Sequence, residues 1–340
     1  MILFTESPEV TDRTLQDTFG RTIDYLRLSI TDRCNLRCRY CMPEEGVDSV
    51  GHGGILSYEE LLRIAAAAVR LGVRKIRVTG GEPLVRKGVV EFIAALAALP
   101  GQPEIVLTTN GLLLAELAAP LKAAGLSRIN VSLDTLRPER FERITRRPGL
   151  ERVLAGIAAA EAVGLAPMKI NMVPLKGINA DEIVDFARLT LEHLWEVRFI
   201  EFMPVSGGLD YSADERFPAE AILAELASLG ELLPIPRRGP AGPARLFRYA
   251  EGRGRIGVIP AVSQHFCGEC NRLRITADGR IRPCLLAPDE LDIREVLRRG
   301  VDGAELEALL REAAVAKPKG HRLGEADYRE GERGMERIGG

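Results

Sequence analysis

Short runs that are half apolar and half polar alternate along the chain with longer stretches of helical period. The runs predict strands at Tyr25–Ile30, Lys75–Val78, Glu104–Thr108, Arg128–Ser132, Met168–Met172 and Val197–Phe202. Between them lie stretches of ten or more residues, rich in Ala and Leu, that predict amphipathic helices. The first helix is punctuated at both ends, with Ser57 and Glu60 forming a capping box and Gly72 placed for a C-terminal cap. Gly125 and Gly164 end later helices in the same way. Six β-then-helix units imply an α/β fold with a parallel sheet and right-handed crossovers, and short, half-apolar strands suit a curved, partly closed barrel.

The rhythm breaks at a Gly- and Pro-bearing loop, Pro204 to Pro218, and a second segment follows with an irregular connection at Pro234 to Pro243. That segment predicts a hairpin of Leu246–Tyr249 against Arg255–Ile259 around Glu251 to Gly254. The chain divides into an extension (1–23), a barrel (24–218), a C-terminal α+β segment (219–320) and a tail (321–340). The tail is charged, Gly-rich and ends in Gly339-Gly340, a composition that predicts flexibility.

Composition narrows the field. At 340 residues the chain can bury a barrel-sized core, and 46% hydrophobic with 28% charged residues is ordinary for a globular protein. A net charge of −2 gives no global field for nucleic acid, so any anion site must be a local cluster. No stretch reads as a membrane span, and Met1 to Asp12 lacks a basic-then-apolar leader pattern, which points to the cytoplasm. Cysteines stay reduced there, so six of them predict metal ligands or core residues rather than disulfides.

Three of them, Cys34, Cys38 and Cys41, follow the first strand, at the carboxyl end of the sheet where α/β barrels carry their active sites. Three thiolates within eight residues can wrap a four-iron cluster and leave one iron open to an exogenous ligand. The alternative is an incomplete zinc site, but no His lies within ten residues. The second trio, Cys267, Cys270 and Cys284, repeats the arithmetic; here zinc with His265 as fourth ligand stands beside a second open cluster.

Cys34-x3-Cys38-x2-Cys41 with Tyr40 before the last cysteine resembles the signature of the radical S-adenosylmethionine (SAM) superfamily. Thr79-Gly80-Gly81-Glu82-Pro83, after the second strand, resembles that superfamily's segment for the SAM amino group. Within it, Leu26-Arg-Leu-Ser-Ile-Thr-Asp-Arg33, Phe266-Cys-Gly-Glu-Cys-Asn-Arg-Leu-Arg274 and the terminal Gly-Gly resemble the GTP 3′,8-cyclase family from about residue 20 to the end. The resemblance implies an incomplete (βα)6 TIM-type barrel closed by the C-terminal segment, two [4Fe-4S] clusters and SAM. It implies a lyase that begins molybdenum cofactor biosynthesis by converting GTP to (8S)-3′,8-cyclo-7,8-dihydroguanosine 5′-triphosphate. In that family SAM reduced at the first cluster yields methionine and a 5′-deoxyadenosyl radical. The radical takes the ribose 3′ hydrogen of GTP, and C3′ then joins guanine C8. An external electron donor such as flavodoxin or ferredoxin, product hand-off to cyclic pyranopterin monophosphate synthase and a homodimer go with it.

By the same resemblance Tyr40, Gly81, Ser132 and Met203 line the SAM site, and Arg27, Arg77, Thr108, Lys169, Arg272 and Arg274 contact GTP. Arg272 and Arg274, with Gly339 and Gly340 of a tail that enters the active site, act in the cyclisation, and the open iron of the second cluster takes the guanine. Physical reading adds a reason, since a triphosphate needs convergent Arg and Lys. Lys169 and Asn171 share one strand face, and so do Arg272 and Arg274 if extended. Ser132 with Asp134, and Glu201 with Met203, complete a ring of strand-end residues. Arg63, Arg70 and Arg188 on helices read as solvated charges, and His193 and Trp195 as structural. Two other readings are a radical SAM peptide modifier and a zinc-stabilised nucleotide-binding protein.

Overall fold

The structure, a computed structural model, describes residues 14–47, 51–205, 213–236, 242–300, 303–323 and 333–339. Strands β1 (Tyr25–Ser29), β2 (Lys75–Thr79), β3 (Glu104–Thr109), β4 (Arg128–Ser132), β5 (Lys169–Met172) and β6 (Glu196–Ile200) pair in parallel in chain order. Helices α1 (Tyr58–Arg70), α2 (Val89–Ala97), α3 (Leu114–Ala123), α4 (Pro138–Thr145), α5 (Leu150–Ala162) and α6 (Ile183–Glu192) make the connections. The Ser57–Glu60 capping box opens α1, and Gly72, Gly125 and Gly164 take positive φ after α1, α3 and α5, a conformation that costs a glycine little.

Each strand sorts its residues by period two. Leu26, Leu28, Ile76, Val78, Ile129, Val131, Ile170, Met172, Val197 and Phe199 are all essentially buried in one core with the helices. Burying each such side chain contributes about 1.5–3 kcal/mol. The alternate positions, among them Arg27, Arg77, Asn130, Lys169 and Arg198, face a cavity instead. The half-apolar strand pattern therefore has a cause: apolar residues meet helices, and polar residues line an interior left open for ligands.

The C-terminal segment carries α7 (Ala219–Ala227), β7 (Leu232–Pro234), β8 (Arg245–Tyr249), β9 (Arg255–Ile259), β10 (Arg272–Ile275), β11 (Arg280–Arg282), β12 (Leu291–Asp292), α8 (Arg294–Arg298), α9 (Gly303–Val315) and α10 (Met335–Ile338). The expected hairpin is β8 and β9, antiparallel with Phe247 opposite Ile256. Beyond the sequence reading, β9 joins β6 in parallel while β10 joins β1 in parallel, so this segment extends both edges of the barrel sheet. The parallel arc thus runs β10-β1-β2-β3-β4-β5-β6-β9, with β11 and β12 outside one edge and β8 and β7 outside the other.

Several expectations need correction. Phe202 lies outside β6, where it meets the Tyr40 ring edge-on at 6.2 Å. Glu201 does not join the ring around the cavity. Its carboxylate is buried and accepts from the N–H groups of Ala219 (2.6 Å), Val262 (2.8 Å) and Ser263 (2.8 Å), pinning the start of α7 to the loop after β9. Arg63 and Arg70 are not merely solvated. They tie α1 to the C-terminal helices through the Leu297 carbonyl (3.1 Å) and Glu307 (2.6 Å). Arg188 pairs with its helix neighbour Asp185. His193 and Trp195 stack at 3.9 Å beside Glu161, a structural arrangement. Among the described residues no helix is long and apolar enough to cross a membrane.

Candidate active site

All six cysteines are free, and both trios open into one cavity of about 920 Å³ enclosed by the parallel arc. That volume lies near the upper end of the range for small-molecule sites. The first trio sits in the loop leaving β1, held by Leu36 N–H to the Cys34 sulfur (3.4 Å) and Asn110 Nδ2 to the same atom (3.9 Å). Burial pushes the Cys34 thiol up to about 11 and moves Cys38 and Cys41 in the same direction. Buried thiols that resist ionisation become ligands when a metal centre supplies positive charge. Among the described residues no three His, Cys, Asp or Glu side chains are grouped closely enough to hold a single metal ion.

The glycine pair at the end of β2 lies against this loop. A Cβ on Gly80 would stand 2.6 Å from the Thr31 carbonyl oxygen, and one on Gly81 2.5 Å from that of Arg33, so only glycine lets the two loops touch. Glu82 then fastens them to β3: buried, it accepts from Leu84 N–H (3.0 Å), Thr109 Oγ1 (2.7 Å) and Asn110 N–H (2.7 Å). Burial still raises its carboxyl to about 7, against those bonds. Tyr40 donates to Asp134 (2.5 Å), whose carboxyl burial raises to about 6. Gly81, Ser132 and Met203 share this wall with Tyr40.

The basic residues occupy the other end. Register places Arg274, Arg27 and Arg77 side by side on β10, β1 and β2, and Arg272, Tyr25 and Lys75 likewise one step earlier. Arg77 is clamped before any ligand arrives, its Nε donating to Tyr25 Oη and its guanidinium to Thr108 Oγ1 (2.8 Å). Burial alone would raise the Tyr25 phenol, but Arg77 and Arg27 outweigh it and bring it down to about 7. Burial lowers Arg27 to about 10, with repulsion from Arg77 and Arg272 opposed by Tyr25, and drives Arg274 further down. Across the arc, Glu196 holds Lys169 (3.2 Å) and Arg198 (2.5 Å), and Glu104 holds Lys75 (2.9 Å) and Arg128. Burial, with help from Arg198, lowers Lys169 to about 8 despite Glu196.

Predicted site residues with side chains on the cavity wall are thus Arg27, Tyr40, Arg77, Thr108, Ser132, Lys169, Met203, Arg272 and Arg274, with Gly81 beside them. Gly339 arrives from the tail: its carbonyl oxygen accepts from Arg274 (3.1 Å) and Arg27 (3.3 Å). Composition predicts a flexible tail, yet over residues 333–339 it packs, because Ile338 is buried against Val205 and Leu286. Gly340 lies outside the described residues. Sequence reasoning missed Tyr25, Lys75, Arg128, Glu196 and Arg198. For Tyr25, Lys75 and Arg128 a signal was present, since the first two stand two residues from Arg27 and Arg77 and the third shares β4 with Ser132. Glu196 and Arg198 have no predicted site residue on their strand. His265 lines the cavity with its ring 4.9 Å from that of His321, next to the second trio.

A parallel barrel arc with three half-buried cysteines in the loop after its first strand and a glycine pair pressed against that loop defines a radical SAM protein. Comparisons agree: residues 28–190 match the family described as "Radical SAM superfamily" and residues 195–323 that described as "Molybdenum Cofactor Synthesis C". The chain is 50% identical over 326 residues to the GTP 3′,8-cyclase of Geobacter sulfurreducens, covering 96% of this chain and 99% of the relative. It is 48% identical over 341 residues to that of Mycolicibacterium smegmatis, covering 98% and 94%. The chain therefore belongs to the GTP 3′,8-cyclase family. Solved structures share the fold at low identity. Streptococcus suis SuiB aligns with a TM-score of 0.58 at 16% identity, covering 86% of this chain and 69% of that one. Native anSMEcpe with bound AdoMet aligns with 0.59 at 15% identity, covering 87% and 81%.

Proposed function

We propose that the cavity converts GTP to 3′,8-cyclo-7,8-dihydro-GTP by radical SAM chemistry, with SAM and the first trio at one end and GTP and the second trio at the other. The observation that carries this reading is the common cavity: two three-cysteine loops face each other with a row of cations between them. Cys34, Cys38 and Cys41 would hold the first [4Fe-4S] cluster, and Cys267, Cys270 and Cys284 the second, each keeping one iron open. When bound, these groups and SAM supply the one-electron chemistry.

The chain's own residues do the rest. Arg27, Arg77, Arg272, Arg274, Thr108 and Lys169 bind and orient GTP, the arginines offering forked donors to phosphate oxygens. Tyr40, Gly81, Ser132 and Met203 place SAM. Gly339 closes the cavity beside Arg27 and Arg274, and the terminal Gly339-Gly340 pair acts with the substrate. The 219–320 segment brings β9 and β10 to the barrel edges and so excludes water from the reacting atoms.

A radical reaction begun by electron transfer needs a donor, which we take to be a flavodoxin or ferredoxin, and the product passes to cyclic pyranopterin monophosphate synthase. Free cysteines suit a cytoplasmic setting, and a homodimer is part of the same reading. Replacing Arg272 or Arg274 by Ala tests the site: GTP binding weakens while uncoupled SAM cleavage persists. Unchanged GTP affinity in both variants would remove these arginines from the assignment.

A further inference from the structure

Lys317, in the segment just after α9, is almost wholly buried at 4% exposure, an unusual place for an ammonium. Its Nζ donates to the carbonyl oxygens of Arg272 (2.8 Å) and Pro283 (2.7 Å), within electrostatic reach of Cys270 and Cys284. Arg272 stands two residues after Cys270, and Pro283 immediately before Cys284. The adjoining residues complete a strap: Arg21, itself paired with Asp17, donates to the carbonyls of Pro318 (2.6 Å), Lys319 (3.1 Å) and Cys267 (2.6 Å). Lys317 thereby touches the backbone beside Cys270 and Cys284, and Arg21 ties the adjoining residues to the backbone of Cys267.

The acceptors of Lys317 among the described residues are two neutral carbonyls. A buried ammonium is tolerated when a nearby negative charge offsets its desolvation. Here the thiolates of Cys270 and Cys284 are the anions that supply it, an argument that rests on the second trio being a cluster site.

We infer that Lys317 is a positioning residue for the second cluster: its ammonium holds the Cys270 and Cys284 loops in register and stabilises the more negative, reduced state of the bound cluster. Hydrogen bonds to the sulfurs and net charge are among the levers that set such potentials. Removing the cation therefore makes the second cluster harder to reduce and leaves the first unmoved.

The test is an anaerobic redox titration of the reconstituted full chain followed by electron paramagnetic resonance. Two reference variants, each with one cysteine trio replaced by Ala, assign the two signals. K317M is expected to shift the second signal's reduction equilibrium at least tenfold toward the oxidised state, about 59 mV for a one-electron couple. K317R recovers most of that shift, and the first signal stays in place in both. A second signal that is present in the wild type and unmoved in K317M overturns the inference alone. Loss of the second cluster in K317M with recovery in K317R supports it, whereas loss in both overturns it. A second signal that survives replacement of Cys267, Cys270 and Cys284 overturns the cluster assignment and the inference together.

Discussion

Replacing Arg77 by Lys keeps the charge and removes the geometry, which separates the two contributions of this residue to GTP binding. In the structure the guanidinium is held at two points, Tyr25 Oη and Thr108 Oγ1 at 2.8 Å. An ammonium cannot span both acceptors with directed bonds. Each hydrogen bond to a charged group contributes about 1.5–3 kcal/mol, and immobilising a freed side chain on binding costs about 0.5–1.5 kcal/mol. The retained charge and solvent bonds offset part of this, leaving a net loss of about 2–3 kcal/mol. That corresponds to a Kd about 30- to 150-fold weaker. The assay is anaerobic calorimetry of GTP on the reconstituted protein, with dithionite-driven SAM cleavage as the control for an intact first site. Arg77→Lys is expected to fall in that window, Arg77→Ala below it, and Tyr25→Phe, which removes one of the two anchors, about tenfold down. If Arg77→Lys binds GTP within threefold of wild type, the clamp does not orient the guanidinium for phosphate and the reasoning fails.

Two further variants probe other parts of the account. Lys169, lowered to about 8, loses its charge as pH rises through that value, so GTP affinity is expected to hold below about pH 7 and fall above about pH 8. Lys169→Met should bind more weakly throughout and lose that part of the slope, and a slope identical to wild type would exonerate Lys169. Glu201→Ala strands the N–H groups of Ala219, Val262 and Ser263, each unsatisfied group costing about 1–3 kcal/mol. Denaturant unfolding should report a loss of at least about 3 kcal/mol with GTP affinity nearly unchanged; full stability with weakened GTP binding would return Glu201 to the site.

The strand-helix rhythm, the capping box at Ser57 and the helix-ending glycines were readable because each rests on local chemistry, and the cysteine spacings because cluster ligands must be close in sequence. What escaped is non-local. Nothing in Arg272–Ile275 or Arg255–Ile259 announces that one strand will flank β1 and the other β6, since pairing partners lie far along the chain. The polar ring was half read for a similar reason. Lys75 and Arg198 look like solvated charges until register sets them beside Tyr25 and Asn171 on the inner face. Glu201 erred the other way: it follows β6 as a site residue would, but three nearby N–H groups claim its carboxylate. The tail combines both effects, a composition that reads as flexible and a buried Ile338 that anchors it.

The central claim is that SAM-derived radical chemistry and GTP meet in this one cavity. Its most direct test is anaerobic turnover with SAM, a low-potential reductant and GTP carrying deuterium at C3′, with both products identified by mass spectrometry. The account predicts 3′,8-cyclo-7,8-dihydro-GTP together with 5′-deoxyadenosine that has gained the deuterium. Unlabelled 5′-deoxyadenosine alongside unchanged GTP would contradict it.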